Sequence, residues 1–366
     1  MNPTLISPPA AARRLPVTVV TGFLGAGKTT LLRHLLLGSG QRLAVLVNEF
    51  GEVGIDGDLL RSCGFCPEEE LDGRLVELTN GCLCCTVQDD FLPTMASLLE
   101  RADQLDGIVV ETSGLALPEP LVAAFQWPAI RSRTWVNGVV TVVDGEALAA
   151  GAVVADPAVL EAQRQADPSL DHATAIDELF AQQLASADLV LISRADRVDA
   201  SGLEQVRTRL DGLIRPGTPV LPMVRGAVAP ELVLGLDHDH ASSSPGPSHG
   251  HHHDHGHGHG HEHEHEHQVA IDARVLRLEG SFERAAVEEA LRRMIRSHGV
   301  VRLKGRLRLD GKARLLELQA VGPRLESWFS DPAGSQAGAV PGLEVVLLGF
   351  QLPADGLQAA LAGLLG

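Results

Sequence analysis

The stretch Gly22-Phe-Leu-Gly-Ala-Gly-Lys28-Thr29 meets every fixed position of the phosphate-binding pattern G-x-x-x-x-G-K-[ST]. Each part has a physical task. Gly22, Gly25, Ala26 and Gly27 let the backbone wrap close to phosphate oxygens, and successive N–H groups attract anions at the start of a helix. Lys28 is placed to reach β- and γ-phosphates, the Thr29 hydroxyl to ligate magnesium, and Thr30 follows in the same first turn. The chain has only three lysines (Lys28, Lys304 and Lys312), so a lysine at this position stands out. The bland alternative is a chance Gly-rich turn.

Four further clusters could do chemistry. In Asn80-Gly-Cys82-Leu-Cys84-Cys85, three thiols lie within four residues, a soft ligand set suited to zinc, copper(I) or tetrahedral cobalt(II). Cys63 and Cys66 share C-x-x-C spacing and could form a second site, join the first, or serve structure alone. The segment from Asn48 to Asp58 mixes glycines with Glu49, Glu52 and Asp56 just after a strand, where a loop can sense a γ-phosphate; Glu49 could add an oxygen ligand to a thiolate-bound metal. In Gly107-Ile-Val-Val-Glu111-Thr-Ser-Gly114, a strand ends in an acid placed to hold a magnesium shell or orient water. Gly114 could let backbone meet the γ-phosphate.

Further on, Ser193-Arg194-Ala-Asp196 follows an apolar strand and parallels the guanine-reading N-K-x-D pattern, with Ser for Asn and Arg for Lys. Asp196 could accept two hydrogen bonds from a guanine edge, and a guanidinium at Arg194 could stack on the base. The two changes weaken the guanine preference. A plain turn after a strand is the competing reading for this segment and for the acidic ones.

These groups need a frame. Short Val/Ile/Leu runs at 15–21, 43–48, 75–78, 107–111, 138–144, 189–193 and 218–223 alternate with amphipathic segments, which predicts an α/β domain with a mostly parallel sheet over 15–228. A tail of 1–14 precedes it. A linker over 229–268 follows; its part from Asp237 to His267 carries 13 of the 16 histidines among Ser, Pro, Gly, Asp and Glu, and nothing in it can build a core. Imidazoles on such a chain could buffer divalent metal weakly. Over 269–366, strands near 275–278, 300–308, 314–320 and 343–348 and helices near 283–297 and 354–365 predict a small α+β domain.

The bulk numbers narrow the classes. A net charge of −17 argues against non-specific binding to nucleic acid or anionic membrane. No apolar run approaches the roughly 20 residues of a membrane span. The N-terminus lacks the regions of a secretory signal, and five cysteines, an odd number, do not make a disulfide framework. A cytoplasmic protein with reduced thiols is the expectation.

Together, GFLGAGKTTLL, NEFGEVGIDGDLL, ELTNGCLCCTV, ETSGLALP and GVVTVVDG resemble the CobW family of P-loop GTPases, the nucleotide-dependent metallochaperones. The resemblance spans about 17–198 and is closest to the branch linked to cobalamin synthesis. It implies a SIMIBI-type G domain followed by the small C-terminal domain. It also implies GTP and magnesium on the phosphate loop, and Cys82, Cys84 and Cys85 as carriers of Co(II) or Zn(II). The expected activity is slow GTP hydrolysis, with Lys28, Thr29 and Glu111 as the catalytic group. GTP would order the loop from Asn48 and close the thiolate site, and hydrolysis would release the metal to a client such as the cobalt chelatase. The expected state is a monomer, or a dimer governed by nucleotide or metal. Two rivals stand beside this reading: a maturation GTPase or transporter-linked ATPase with structural thiols, and a passive metal store built on the histidines.

Overall fold

The computed structural model describes residues 14–47, 75–77, 91–166, 175–235, 271–312, 314–330 and 340–364. The loop from Asn48 to Asp58 with Glu49, the five cysteines (Cys63, Cys66, Cys82, Cys84 and Cys85) and the histidine-rich segment lie outside the described residues.

Seven strands make the first sheet: β1 (Leu15–Thr21), β2 (Leu43–Val47), β3 (Leu75–Glu77), β4 (Gly107–Glu111), β5 (Thr134–Asp144), β6 (Leu189–Ser193) and β7 (Val220–Pro222). Their order is β3-β2-β4-β1-β5-β6-β7, and every neighbouring pair is parallel. Parallel strands buried on both faces read as continuous apolar runs, and β1, β4, β5 and β6 are buried almost throughout. The pleat sends alternate residues to opposite layers. Val17 and Val19 join Leu46, Phe91, Met95 and Phe125 on one side, whereas Val20 joins Leu31, Leu32 and Leu35 on the other.

The helices of this domain are α1 (Lys28–Gly38), α2 (Leu92–Glu100), α3 (Pro118–Ala124), α4 (Pro128–Arg131), α5 (Gly145–Ala149), α6 (Pro157–Ala166), α7 (Ile176–Ser186), α8 (Ala200–Asp211) and α9 (Pro230–Leu234). Two differences from the sequence expectation stand out here. Strand β5 begins at Thr134, four residues before the expected 138, because Leu15, Pro16 and Val17 of β1 pair with Thr134, Trp135 and Val136. The register then slips, leaving Asn137 as the extra residue of a bulge. Helical structure packed on this domain also runs past the boundary expected at 228. Pro230 starts α9, and Leu232, Val233 and Leu234 bury themselves beside α1.

The second domain holds β8 (Asp272–Glu279), α10 (Arg284–Ser297), β9 (Val300–Arg308), β10 (Leu316–Val321), β11 (Arg324–Phe329), β12 (Gly342–Gly349) and α11 (Ala354–Ala362). Its sheet, β11-β10-β9-β12-β8, is antiparallel throughout. Helix α10 turns Val287, Ala290, Leu291, Met294 and Ile295 inward at helical spacing. Strand β11, not expected from the sequence, pairs with β10 across the two-residue loop Gly322-Pro323. Its residues are only half-buried, so it carries no apolar run to mark it.

The domains meet at the opposite end of the sheet from its carboxyl edge. Arg302 of β9 is buried and donates to the Leu232 carbonyl at 2.7 Å, to Asn137 Oδ1 at 2.9 Å, and to the Val233 carbonyl. Burial pushes its guanidinium down to about 9, with the Asp188 carboxylate opposing that shift. Asp188 is itself buried and pairs with Arg215 and, at 2.6 Å, with Arg324 of β11. Trp135 and Trp328 pack at a tilt across the same seam, ring centres 5.3 Å apart.

Candidate functional site

The carboxyl ends of β1, β4, β5 and β6 bring together the loops that the sequence singled out. In an open parallel sheet this edge is where ligands gather. Gly22 leaves β1 in the left-handed half of backbone space, and a Cβ there would overlap the Val142 carbonyl oxygen of β5. The loop closes on itself through Ala26 N–H donating to the Phe23 carbonyl at 3.1 Å. Gly27, also left-handed, leads into α1.

Helix α1 has neither a side-chain cap nor an acid in its first turn. Its first N–H groups and the positive end of its dipole are therefore available to an anion. Lys28 is only 6% exposed. Its Nζ donates to the Phe23 carbonyl at 3.3 Å and lies 3.9 Å from Glu111 Oε1. Thr29 Oγ1 donates to the same Glu111 Oε1 at 3.4 Å. The fold thus assembles Lys28, Thr29 and Glu111 from two strand ends, although 82 residues separate the last two. Thr29 and Glu111 supply the hard oxygen donors that suit magnesium, and the uncapped helix start with buried Lys28 suits a polyphosphate. Thr30 is exposed and abuts Gly226 in the loop after β7.

The turn after β4 lies directly on the phosphate loop. A Cβ on Gly114 would come within 2.6 Å of the Leu24 nitrogen, so no side chain fits between the two loops. Thr112 Oγ1 donates to Thr21 Oγ1 at 2.9 Å, tying this turn to the end of β1. From the other side, Gln183 of α7 donates to the carbonyls of Gly114 at 3.1 Å and Ala116 at 3.0 Å.

Ser193, Arg194 and Asp196 behave differently from one another. Ser193 is buried, and its hydroxyl has no hydrogen-bond partner among the described residues. Arg194 has a φ of 52° and spends its guanidinium N–H groups within the protein. It pairs with the buried Asp144 and donates to the Gly25 carbonyl at 3.0 Å, fastening the β6 loop to the phosphate loop. Asp144 also caps α5, accepting from the N–H groups of Glu146 and Ala147 at 3.1 and 3.2 Å. Asp196 is exposed in a short 3-10 turn and open to the donors of a ligand.

Two residues here escaped the sequence reading. Asp144 had the signal of an acid at a strand end followed by Gly. Gln183 had a weaker one, a polar residue inside the apolar stripe Leu179, Phe180, Leu184 of α7. Among the described residues, no group of three or more His, Cys, Asp and Glu side chains is placed to hold a metal ion. No helix among them is long and apolar enough to cross a membrane.

Two family models match the chain. One, described as "CobW/HypB/UreG, nucleotide-binding domain", covers residues 16–222; the other, "Cobalamin synthesis protein cobW C-terminal domain", covers 271–365. A protein named Zinc chaperone CobW from Pseudomonas aeruginosa is 47% identical over 339 residues, covering 91% of this chain and 88% of that one. A protein of the same name from Sinorhizobium sp is 42% identical over 340 residues, covering 92% and 93%. The crystal structure of the Zn(II)-bound YjiA GTPase from E. coli is 25% identical, covering 96% of this chain and 99% of that one, with a TM-score of 0.39.

Proposed function

This chain belongs to the CobW/HypB/UreG family, and from that premise we propose that it is a slow GTPase that carries a divalent transition metal and hands it on when GTP is hydrolysed. The observation that carries the nucleotide half is the grouping of buried Lys28 and Glu111 with half-buried Thr29 beside an uncapped helix start. Lys28 would offer its charge to the β- and γ-phosphates, and Thr29 with Glu111 would hold magnesium, which neutralises charge developing on the phosphates. Gly114 would bring backbone against the γ-phosphate. Asp196 would accept from the base, while Arg194 keeps the phosphate loop in shape instead of stacking.

The metal half rests on Cys82, Cys84 and Cys85, with Glu49 as a further oxygen ligand. The names of the relatives favour zinc as cargo over the cobalt expected from the cobalamin branch. Thiolates agree with that choice, since zinc outcompetes cobalt at such sites. The recipient would be a metal-requiring client protein. A passive histidine store would leave the phosphate-binding cluster without a purpose. The test is a chelator-competition titration with Zn(II) and then Co(II) on the full chain and on a Cys82→Ala, Cys84→Ala, Cys85→Ala variant. One tight zinc site present in the first and lost in the second supports the reading. A tight site that survives the triple substitution, or one that prefers Co(II), overturns the metal assignment.

A further inference from the structure

We infer that Gln183 is a positioning residue for GTP hydrolysis, acting through the turn at Gly114; this rests on the nucleotide reading above. Gln183 is 1% exposed, in a helix whose neighbouring inward residues are apolar. Burying an amide is costly unless it is hydrogen-bonded, and Gln183 Oε1 is buried with no partner among the described residues; a Leu or Met would fill the space without that cost. What the amide does is specific. Its Nε2 spends both hydrogens on one turn, donating to the carbonyls of Gly114 and Ala116. The backbone of Gln183 is anchored in turn, because its carbonyl accepts from Thr141 Oγ1 of β5 at 3.3 Å.

The turn is short and tight, with Ala116 N–H donating to the Ser113 carbonyl at 3.1 Å. One flank is held to β1 by the Thr112–Thr21 bond, and the middle is pressed against Leu24. These contacts leave open the direction of the Gly114 and Ala116 carbonyls. Gln183 sets it: turning either carbonyl away would leave a buried N–H of the amide unpaired. It therefore fixes the orientation of the backbone that faces the phosphate loop. GDP lacks the γ-phosphate that this backbone would meet, so binding of GDP does not depend on Gln183.

The experiment uses the full-length chain with Gln183→Met and Gln183→Glu. It measures affinity for GDP and for a non-hydrolysable GTP analogue, and single-turnover hydrolysis from pH 5.5 to 8.5 (a range chosen to span titration of a buried carboxyl). Gln183→Met should leave GDP affinity within about twofold while lowering kcat about ten- to a hundredfold, the scale of a small misplacement near the reacting atoms. Gln183→Glu should recover activity as pH falls, because a protonated carboxyl can donate one of the two lost bonds. Equal losses for GDP and the GTP analogue, or an unchanged kcat, would overturn the inference. If Gln183→Met does not fold, the pH profile decides alone. A constant ratio of Gln183→Glu to wild type across the range also overturns it. A wild-type chain that neither binds nor hydrolyses GTP would sink the nucleotide reading instead, and so is distinguishable.

Discussion

Lys28, Glu111 and Arg194 show how charge is handled at this site. A buried lysine is rare unless paired, and among the described residues Lys28 meets a backbone carbonyl at 3.3 Å and a carboxylate at 3.9 Å. A phosphate would supply the close, strong partner. Lys28→Ala should weaken GTP binding by about 1.5–3 kcal/mol, the worth of a hydrogen bond to a charged group, as read by titration with a fluorescent nucleotide. Arg194 is fastened to Asp144 and Gly25, which ties it to loop geometry. Arg194→Ala should therefore weaken GTP and ATP binding by the same factor, whereas Asp196→Ala should weaken GTP alone. Competition binding with the two nucleotides checks both.

The elements that carry the site were largely legible because each has a strong local signal. Strands β1, β4 and β6 fall where apolar runs end in Gly, Glu-Thr-Ser-Gly or Ser-Arg, with the bounds read from the sequence. Each strand end then delivers its loop to one edge of the sheet. What escaped depends on partners distant in sequence. The start of β5 expected at Gly138 misses Thr134, Trp135 and Val136, which pair with β1, and the Asn137 bulge makes sense only once Arg302, 165 residues away, is seen to use its side chain. Half-buried β11 has no run of apolar residues. At this scale the cap of α5 is a clean test. Asp144→Ala should lower stability by at least about 0.5–2 kcal/mol, the cost of losing a side-chain N-cap, with the loss of the Arg194 pair added. Urea unfolding would show it as a lower midpoint with an unchanged slope.

At the scale of the whole molecule, two domains share one buried polar seam. Asp188 sits under Arg215 and Arg324, and Arg302 reaches Asn137 and the carbonyls that end α9. Asp188→Ala would leave the buried Val139 N–H without its acceptor and take the carboxylate from two partly exposed arginines, so it should cost about 1–3 kcal/mol and should loosen the Trp135–Trp328 contact. A red-shifted tryptophan emission before global unfolding would report that loosening. The second domain thus braces β5 and β6 at their starts, while their ends, Asp144 and Ser193, flank the phosphate loop. The central claim is that nucleotide and metal are coupled through this chain. Linkage requires that GTP tighten metal by the same factor that metal tightens GTP. The most direct test is a chelator-competition titration of Zn(II) on the full chain with magnesium and either a non-hydrolysable GTP analogue or GDP. The account predicts one site whose affinity is higher by at least about tenfold with the GTP analogue, about 1.4 kcal/mol of coupling. Equal affinity in the two states would contradict it.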